Sequence, residues 1–222
     1  MLLLALQAQI SSAGTVIKLD LANDSSTDVA LSSNTLRTVD DGIGATTGDQ
    51  NTSVIFLDAL AAEENILFGS FTLDGVNLFG TPFVINNSVV MQPTQGGHFK
   101  IYNQNNVLIL SGSLTDGTIS GPLGANNAAT GGFLTTTLGS FDGGTLLGKL
   151  AINSASLAFS LTNVNEGNGF NIVGEGNDAR LGSFTAHATA NLGARAVPEP
   201  STTVLAILGL CGIVGQFRRR RG

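Results

Sequence analysis

The side chains able to do acid–base or nucleophilic chemistry are few in this 222-residue chain. There are two histidines, His98 and His187, and one cysteine, Cys211, which lies in an apolar C-terminal run. A zinc site built from several His or Cys ligands therefore lacks donors. A Ser-His-Asp triad would need one of the two histidines. No Gly-x-Ser-x-Gly elbow is present, and both histidines sit in alternating runs, so they read as surface strand residues. Gly143 to Lys149 fits the first seven positions of a phosphate-binding loop. The eighth is Leu150, where a Ser or Thr hydroxyl should hold Mg²⁺. The run that follows, Leu150 to Leu161, reads as a strand rather than a helix with a phosphate-cradling N-terminus. Carboxylates occur at Asp20, Asp24 and Asp28, and at Glu166, Glu175 and Asp178, in Gly/Asn/Ser-rich stretches. Oxygen-rich loops of this kind suit an isolated structural Ca²⁺, although the EF-hand order is missing. The expectation is a chain with no catalytic residues, no metal ligand set and no cofactor beyond such an ion.

Charge is unevenly placed. The formal net charge is −6, yet four of the ten basic residues are consecutive, Arg218, Arg219, Arg220 and Arg221. From Gly14 to Val197 six basic residues face 15 acidic ones, a net of −9. An acidic body without a basic stripe is a poor ligand for phosphate backbones, so no nucleic-acid partner is expected. One Cys excludes a disulfide scaffold, and five prolines without a glycine period exclude collagen.

The C-terminal segment reads Val197-Pro198-Glu199-Pro200, then an uncharged stretch from Thr202 to Phe217, then the four arginines. Two prolines remove backbone donors and keep that strip extended. Sixteen helical residues would reach about 24 Å, short of the ~30 Å hydrocarbon core, a gap that bilayer thinning and snorkelling arginines can close. The arginines read as a cytoplasmic stop by the positive-inside rule.

Those three parts in that order resemble the PEP-CTERM sorting signal of Gram-negative bacteria. The resemblance covers about 25 residues. It implies export, transient anchoring in the inner membrane, and an exosortase as partner, cutting near Val197, Pro198, Glu199 and Pro200. It further implies release to the cell surface or the extracellular space, in organisms that make exopolysaccharide. Residues 1–13 look like the back half of a secretory signal. The apolar core Leu2–Leu6 is short, no basic residues precede it, and the true start is expected upstream.

Between the ends, period-2 alternation recurs at Ile17–Leu21, Leu67–Leu73, His98–Tyr102, Leu157–Leu161 and Phe184–Ala190. Turn signals separate these runs: Asp74-Gly75, Asn105-Asn106, Asp116-Gly117, Asn126-Asn127, Asp142-Gly143 and Asn165 to Gly169. This spacing predicts an all-β body over 14–192, an antiparallel β-sandwich of jelly-roll type, followed by a sorting tail over 193–222 with a single transmembrane helix. Asp-Gly pairs are expected to make the hairpin turns. Propensity allows one short helix at Phe56–Asn65. Gly-Ser-Phe recurs at Gly69, Gly139 and Gly182 with no regular period, which marks strands of similar design rather than a solenoid. The function expected from the whole is an exported, non-catalytic envelope or matrix protein, structural or adhesive towards carbohydrate. The alternatives are a secreted enzyme acting on polysaccharide and a Ca²⁺-dependent binding module.

Overall fold

The computed structural model describes residues 14–21, 27–39, 49–57, 60, 66–124 and 131–196. Their strands, in chain order, are β1 (Gly14–Asp20), β2 (Val29–Ser32), β3 (Thr35–Thr38), β4 (Asp49–Phe56), β5 (Ile66–Asp74), β6 (Val76–Leu78), β7 (Phe83–Ile85) and β8 (Val89–Gln95). They continue with β9 (His98–Asn103), β10 (Leu108–Pro122), β11 (Gly132–Gly143), β12 (Leu150–Thr162), β13 (Ile172–Val173), β14 (Arg180–Leu181) and β15 (Phe184–Ala196). Four of the five alternating runs of the sequence lie wholly in strands and the fifth, Ile17–Leu21, runs one residue past β1; every strand pairing is antiparallel.

The ladder closes on itself. Short strands pair end to end along the same neighbour, so they combine into long staves. β8 and β9 both pair with β10, in one continuous register from Pro122↔Val89 to Ser113↔His98. β6 and β5 likewise pair with β8 and β9 as one stave bent at Gly75. β1 and β2 lie along β15, and β3 and β4 lie along the stave formed by β6 and β5. The result is eight staves, each bonded to its neighbour in sequence, with the first bonded to the last through β1–β15. This is an up-and-down meander rolled into a closed barrel. The antiparallel all-β expectation holds. The jelly-roll order does not, because no Greek-key crossover separates sequence neighbours.

Two of the Asp-Gly pairs play a different part from the one expected. Asp74-Gly75 joins β5 to β6 as a kink within one stave, and Asp116-Gly117 lies inside β10 beside a register shift, whereas Asp142-Gly143 ends β11 at the turn to β12. The tight hairpins use Ser33-Asn34 and Asn86-Asn87, all with φ between 49° and 67°. Asn tolerates the left-handed region because its short amide bonds locally. Of Phe56–Asn65 only Phe56, Leu57 and Leu60 are described, and Phe56 ends β4.

Closure encloses an apolar interior. Ile17, Leu19, Leu36, Phe71, Leu73, Phe99, Ile101, Leu134, Leu157, Phe159 and Leu192 are all buried in one cluster. Each contributes about 2 kcal/mol relative to an exposed side chain. Ala186, Ala188, Ala190 and Ala194 on β15 keep that stave thin, so large side chains opposite can meet. Outward positions carry Lys18, Arg37, Lys100, Thr135 and Thr137. They also carry exposed apolar residues, Phe68 on β5, Phe83 on β7, Met91 on β8 and Phe133 on β11.

One end is plugged by the excursion between β12 and β15. Phe170 is buried there, edge-on to Phe184 with ring centroids 5.0 Å apart. Its ring lies over Gly121 and Gly132, where an added Cβ would come within 2.4 Å and 2.7 Å of it. Gln92 anchors the same end from inside. Its side-chain amide donates to the carbonyls of Phe79, Gly80 and Pro93, and its oxygen accepts from the Leu181 N–H.

Gln92→Leu keeps the volume but strands these groups, and stability should fall by about 2–4 kcal/mol in urea denaturation. Thr94, two residues on, has a buried hydroxyl with no partner. Thr94→Val should therefore raise stability, by about 1 kcal/mol in the same measurement.

Candidate functional site

A groove of about 670 Å³ runs across the outer face of β3, β5 and β9. Among the described residues, the ladder partners of the third stave are Asp49↔Phe71 on β4 and Leu36↔Val76 on β3. Between those points the Thr38 side chain ties β3 to β5: its hydroxyl accepts from the Leu73 N–H at 3.1 Å and donates to the Leu73 carbonyl at 3.4 Å.

Strand alternation then decides what lines the groove. Phe71, Leu73, Phe99 and Ile101 point inward, so their neighbours point outward. Three cross-strand pairs face the groove: Ser70 with Tyr102, Thr72 with Lys100, and Asp74 with His98. Arg37 joins them from β3, and Asn106 closes one end from the β9–β10 turn. Gly69 lets β5 and β9 approach beneath Tyr102; a Cβ there would lie on the Tyr102 carbonyl oxygen. The Asp74 carboxylate accepts the Gly75 N–H at 2.8 Å, which turns one oxygen into the kink. Among the described residues neither Arg37 nor Lys100 has a carboxylate partner within ion-pair distance. Two cations and the single tyrosine of the chain thus converge on one concave surface of an acidic body. Hydroxyls, an aromatic face and unpaired cations can bind a polar, hydroxyl-rich ligand.

The residues singled out by sequence are placed as follows. Val197, Pro198, Glu199, Pro200 and Arg218 to Arg221 lie outside the described residues, as do the Thr202–Phe217 stretch, the 1–13 segment and Asp24. His98 is an exposed strand residue in the groove. His187 is less exposed than a surface residue; its Nδ1 is 3.9 Å from an oxygen of Asp28. Asp28 is buried, not a loop ligand: its carboxylate accepts the Ala188 N–H and ties the first stave to β15. Among the described residues no three His, Cys, Asp or Glu side chains gather as a metal site. The Gly143–Lys149 segment is a turn between β11 and β12, so the run after it is a strand, as expected. Thr135 and Thr137 are exposed and Thr136 is buried on β11. The outward trio His98, Lys100 and Tyr102 was available from the period of 2, but Arg37 reaches them only through the fold.

Residues 196–221 match the model of the PEP-CTERM protein-sorting motif. The chain carries a PEP-CTERM sorting tail. That tail marks an exported protein with a membrane-associated C-terminus that an exosortase processes. Comparison with curated proteins and with solved structures finds no match. Among the described residues no helix is long and apolar enough to cross a membrane. The sorting motif begins at the last residue of β15, Ala196, which pairs with Leu150.

Gly69→Ala tests the floor of the groove. The added methyl must push β9 from β5, and stability should fall by about 1–3 kcal/mol. Tyr102 emission should change with it, since the chain has no Trp and no other Tyr.

Proposed function

We propose that the chain is an exported, non-catalytic envelope or matrix protein whose barrel adheres to carbohydrate after release from its sorting tail. The observation that carries this reading is the outer groove, lined by Tyr102, Ser70, Thr72, Lys100 and Arg37, on a chain with an exosortase tail. The apolar faces of sugar rings lie well on an aromatic ring, and hydroxyls, amides and cations take the hydroxyl groups around them. The barrel is a rigid support for such a face, because every stave is bonded on both sides.

In this reading Thr202–Phe217 crosses the inner membrane as a single helix, with Arg218 to Arg221 on the cytoplasmic side. Cutting near Pro198-Glu199-Pro200 frees the barrel to the surface or beyond, where exopolysaccharide is the partner. Since β15 pairs as far as Ala196, a cut in that strip leaves every ladder pairing among the described residues in place.

Fractionation of the host with and without its exosortase, followed by intact-mass measurement, tests the route and the partner together. The expected product lacks Cys211 and sediments with the exopolysaccharide fraction. A matrix-bound species that retains Cys211 contradicts processing, and a processed species left wholly in the supernatant contradicts adhesion.

A further inference from the structure

We infer that β7 pairs edge to edge with the β7 of a second copy of this chain, joining two barrels across a two-fold axis. The third stave outruns its neighbour at one end. β3 begins after the Ser33-Asn34 turn, level with Leu78, whose N–H donates to the Asn34 carbonyl. Beyond that point the stave continues as β7, which pairs with β8 alone. Natural edge strands are guarded by a charge, an internal proline or a covering loop. Phe83, Val84 and Ile85 carry no charge and no proline, and all three are exposed.

The hydrogen-bond register makes this edge complementary to itself. The Pro93 carbonyl on β8 accepts from the Phe79 N–H, so it points towards the third stave. Alternation turns Met91 and Val89 the same way. It turns Ser88 the opposite way, where its carbonyl accepts from the Leu123 N–H just past β10. Phe83 and Ile85, opposite Met91 and Val89, therefore spend their N–H and C=O on β8. Val84 between them turns both groups outward, and no strand takes them among the described residues. A two-fold axis at Val84 sets it against Val84 of the partner subunit, and the two exchange a pair of N–H···O=C bonds. Phe83 then faces Ile85 of the partner subunit, and the same contact recurs by symmetry. Aromatic against β-branched is a cross-strand pairing that sheets favour.

Charge favours a second copy as the occupant. The body from Gly14 to Val197 carries a net −9, so two copies repel over most of their surfaces. Gly75 to Gly97 and Gly117 to Phe141 contain no charged residue. Those segments supply β6, β7, β8, one end of β10 and most of β11, so one sector of the wall is neutral. Its outward row runs Phe83, Met91, Ser120, Phe133 by register, and Phe83, Met91 and Phe133 are exposed. The sector lies at the plug: Ile85 pairs with Val89, Val89 with Pro122, and the Pro122 carbonyl accepts from Phe170. The sorting tail leaves from the opposite end of β12, where Ala196 pairs with Leu150. A membrane that holds the tail therefore lies away from β7. The pairing goes beyond the carbohydrate reading and does not depend on it.

Two backbone bonds and two side-chain contacts make a small interface, so the dimer forms reversibly with concentration. The full chain, held in a non-ionic detergent, is followed by sedimentation over a wide concentration range. A monomer–dimer transition is expected, and added salt should strengthen it, because only the repulsion between acidic bodies is screened. Val84→Pro deletes the outward N–H and no bond of the barrel's own ladder. It should weaken association about tenfold or more with the thermal melt unchanged. Phe83→Glu adds to the repulsion at the edge and should do the same. Cross-linking locates the contact. In a Cys211→Ser background, Val84→Cys should give a disulfide-linked dimer under mild oxidation, since facing residues of such a pair have Cα atoms about 5.5 Å apart. Leu147→Cys, exposed in the turn between β11 and β12, should not.

A monomer at every concentration, with no cross-link, overturns the inference. Association that persists unchanged in Val84→Pro and Phe83→Glu assigns it to the tail or another surface and also overturns it, as does equal cross-linking of the two cysteine variants. A Val84→Cys link in the host envelope to a protein other than this chain gives the edge to a different partner and overturns the self-pairing.

Discussion

The structure depends on one closure: β15 hydrogen-bonds along both of its edges. On one side it pairs with β12 from Thr162↔His187 to Leu150↔Ala196. On the other it pairs with β1 and then with β2. Without the β1 contact the meander would be an open sheet with two long edges, each a template for aggregation. With it, the first and last staves of the chain become neighbours, and the interior becomes a sealed volume that side chains must fill. The alanines of β15 and the phenylalanines facing the interior from other staves follow from that volume. So does the plug, because an open barrel end over an apolar interior would admit water. The closing contact joins residues nearly the whole described length apart, so barrel formation must await the last strand.

That last strand is also the one that leads into the sorting tail. Its final ladder partner is Ala196, where the match to the motif begins, and two prolines follow at Pro198 and Pro200. Proline cannot continue a ladder, since it has no N–H to give. The last described ladder pairing and the start of the sorting motif thus meet at one residue.

The groove follows from strand alternation on β5 and β9. One hydroxyl of Thr38 satisfies both backbone groups of Leu73, and the outward residues of β5 and β9 line a concave face with Arg37. The His98–Tyr102 alternation announced the β9 side of that face in the sequence, but nothing in it brought Arg37 to the same face. Sequence reading also made Asp28 a loop carboxylate, whereas burial and the Ala188 amide make it part of the framework. Asp74-Gly75 and Asp116-Gly117 do not reverse the chain, for a related reason. A positive φ marks a turn only if the chain reverses there, and at Gly75 the neighbouring stave holds it on course.

What the sequence determined alone is local. Period-2 alternation requires only that successive side chains point to opposite faces, so runs such as Leu157–Leu161 announced strands and an apolar face. The strip at Pro198, the uncharged stretch and the terminal arginines likewise act through their own chemistry, and they announced the sorting tail. Tertiary structure decided which strand lies beside which. It set meander against jelly roll, closure against an open sandwich, and the placing of Arg37 along one groove with Lys100 and Tyr102. Backbone hydrogen bonds are alike at every residue, so a strand carries no label for its partner. Only the summed fit of eight staves around one filled interior selects the register, and that sum is not written in any single segment.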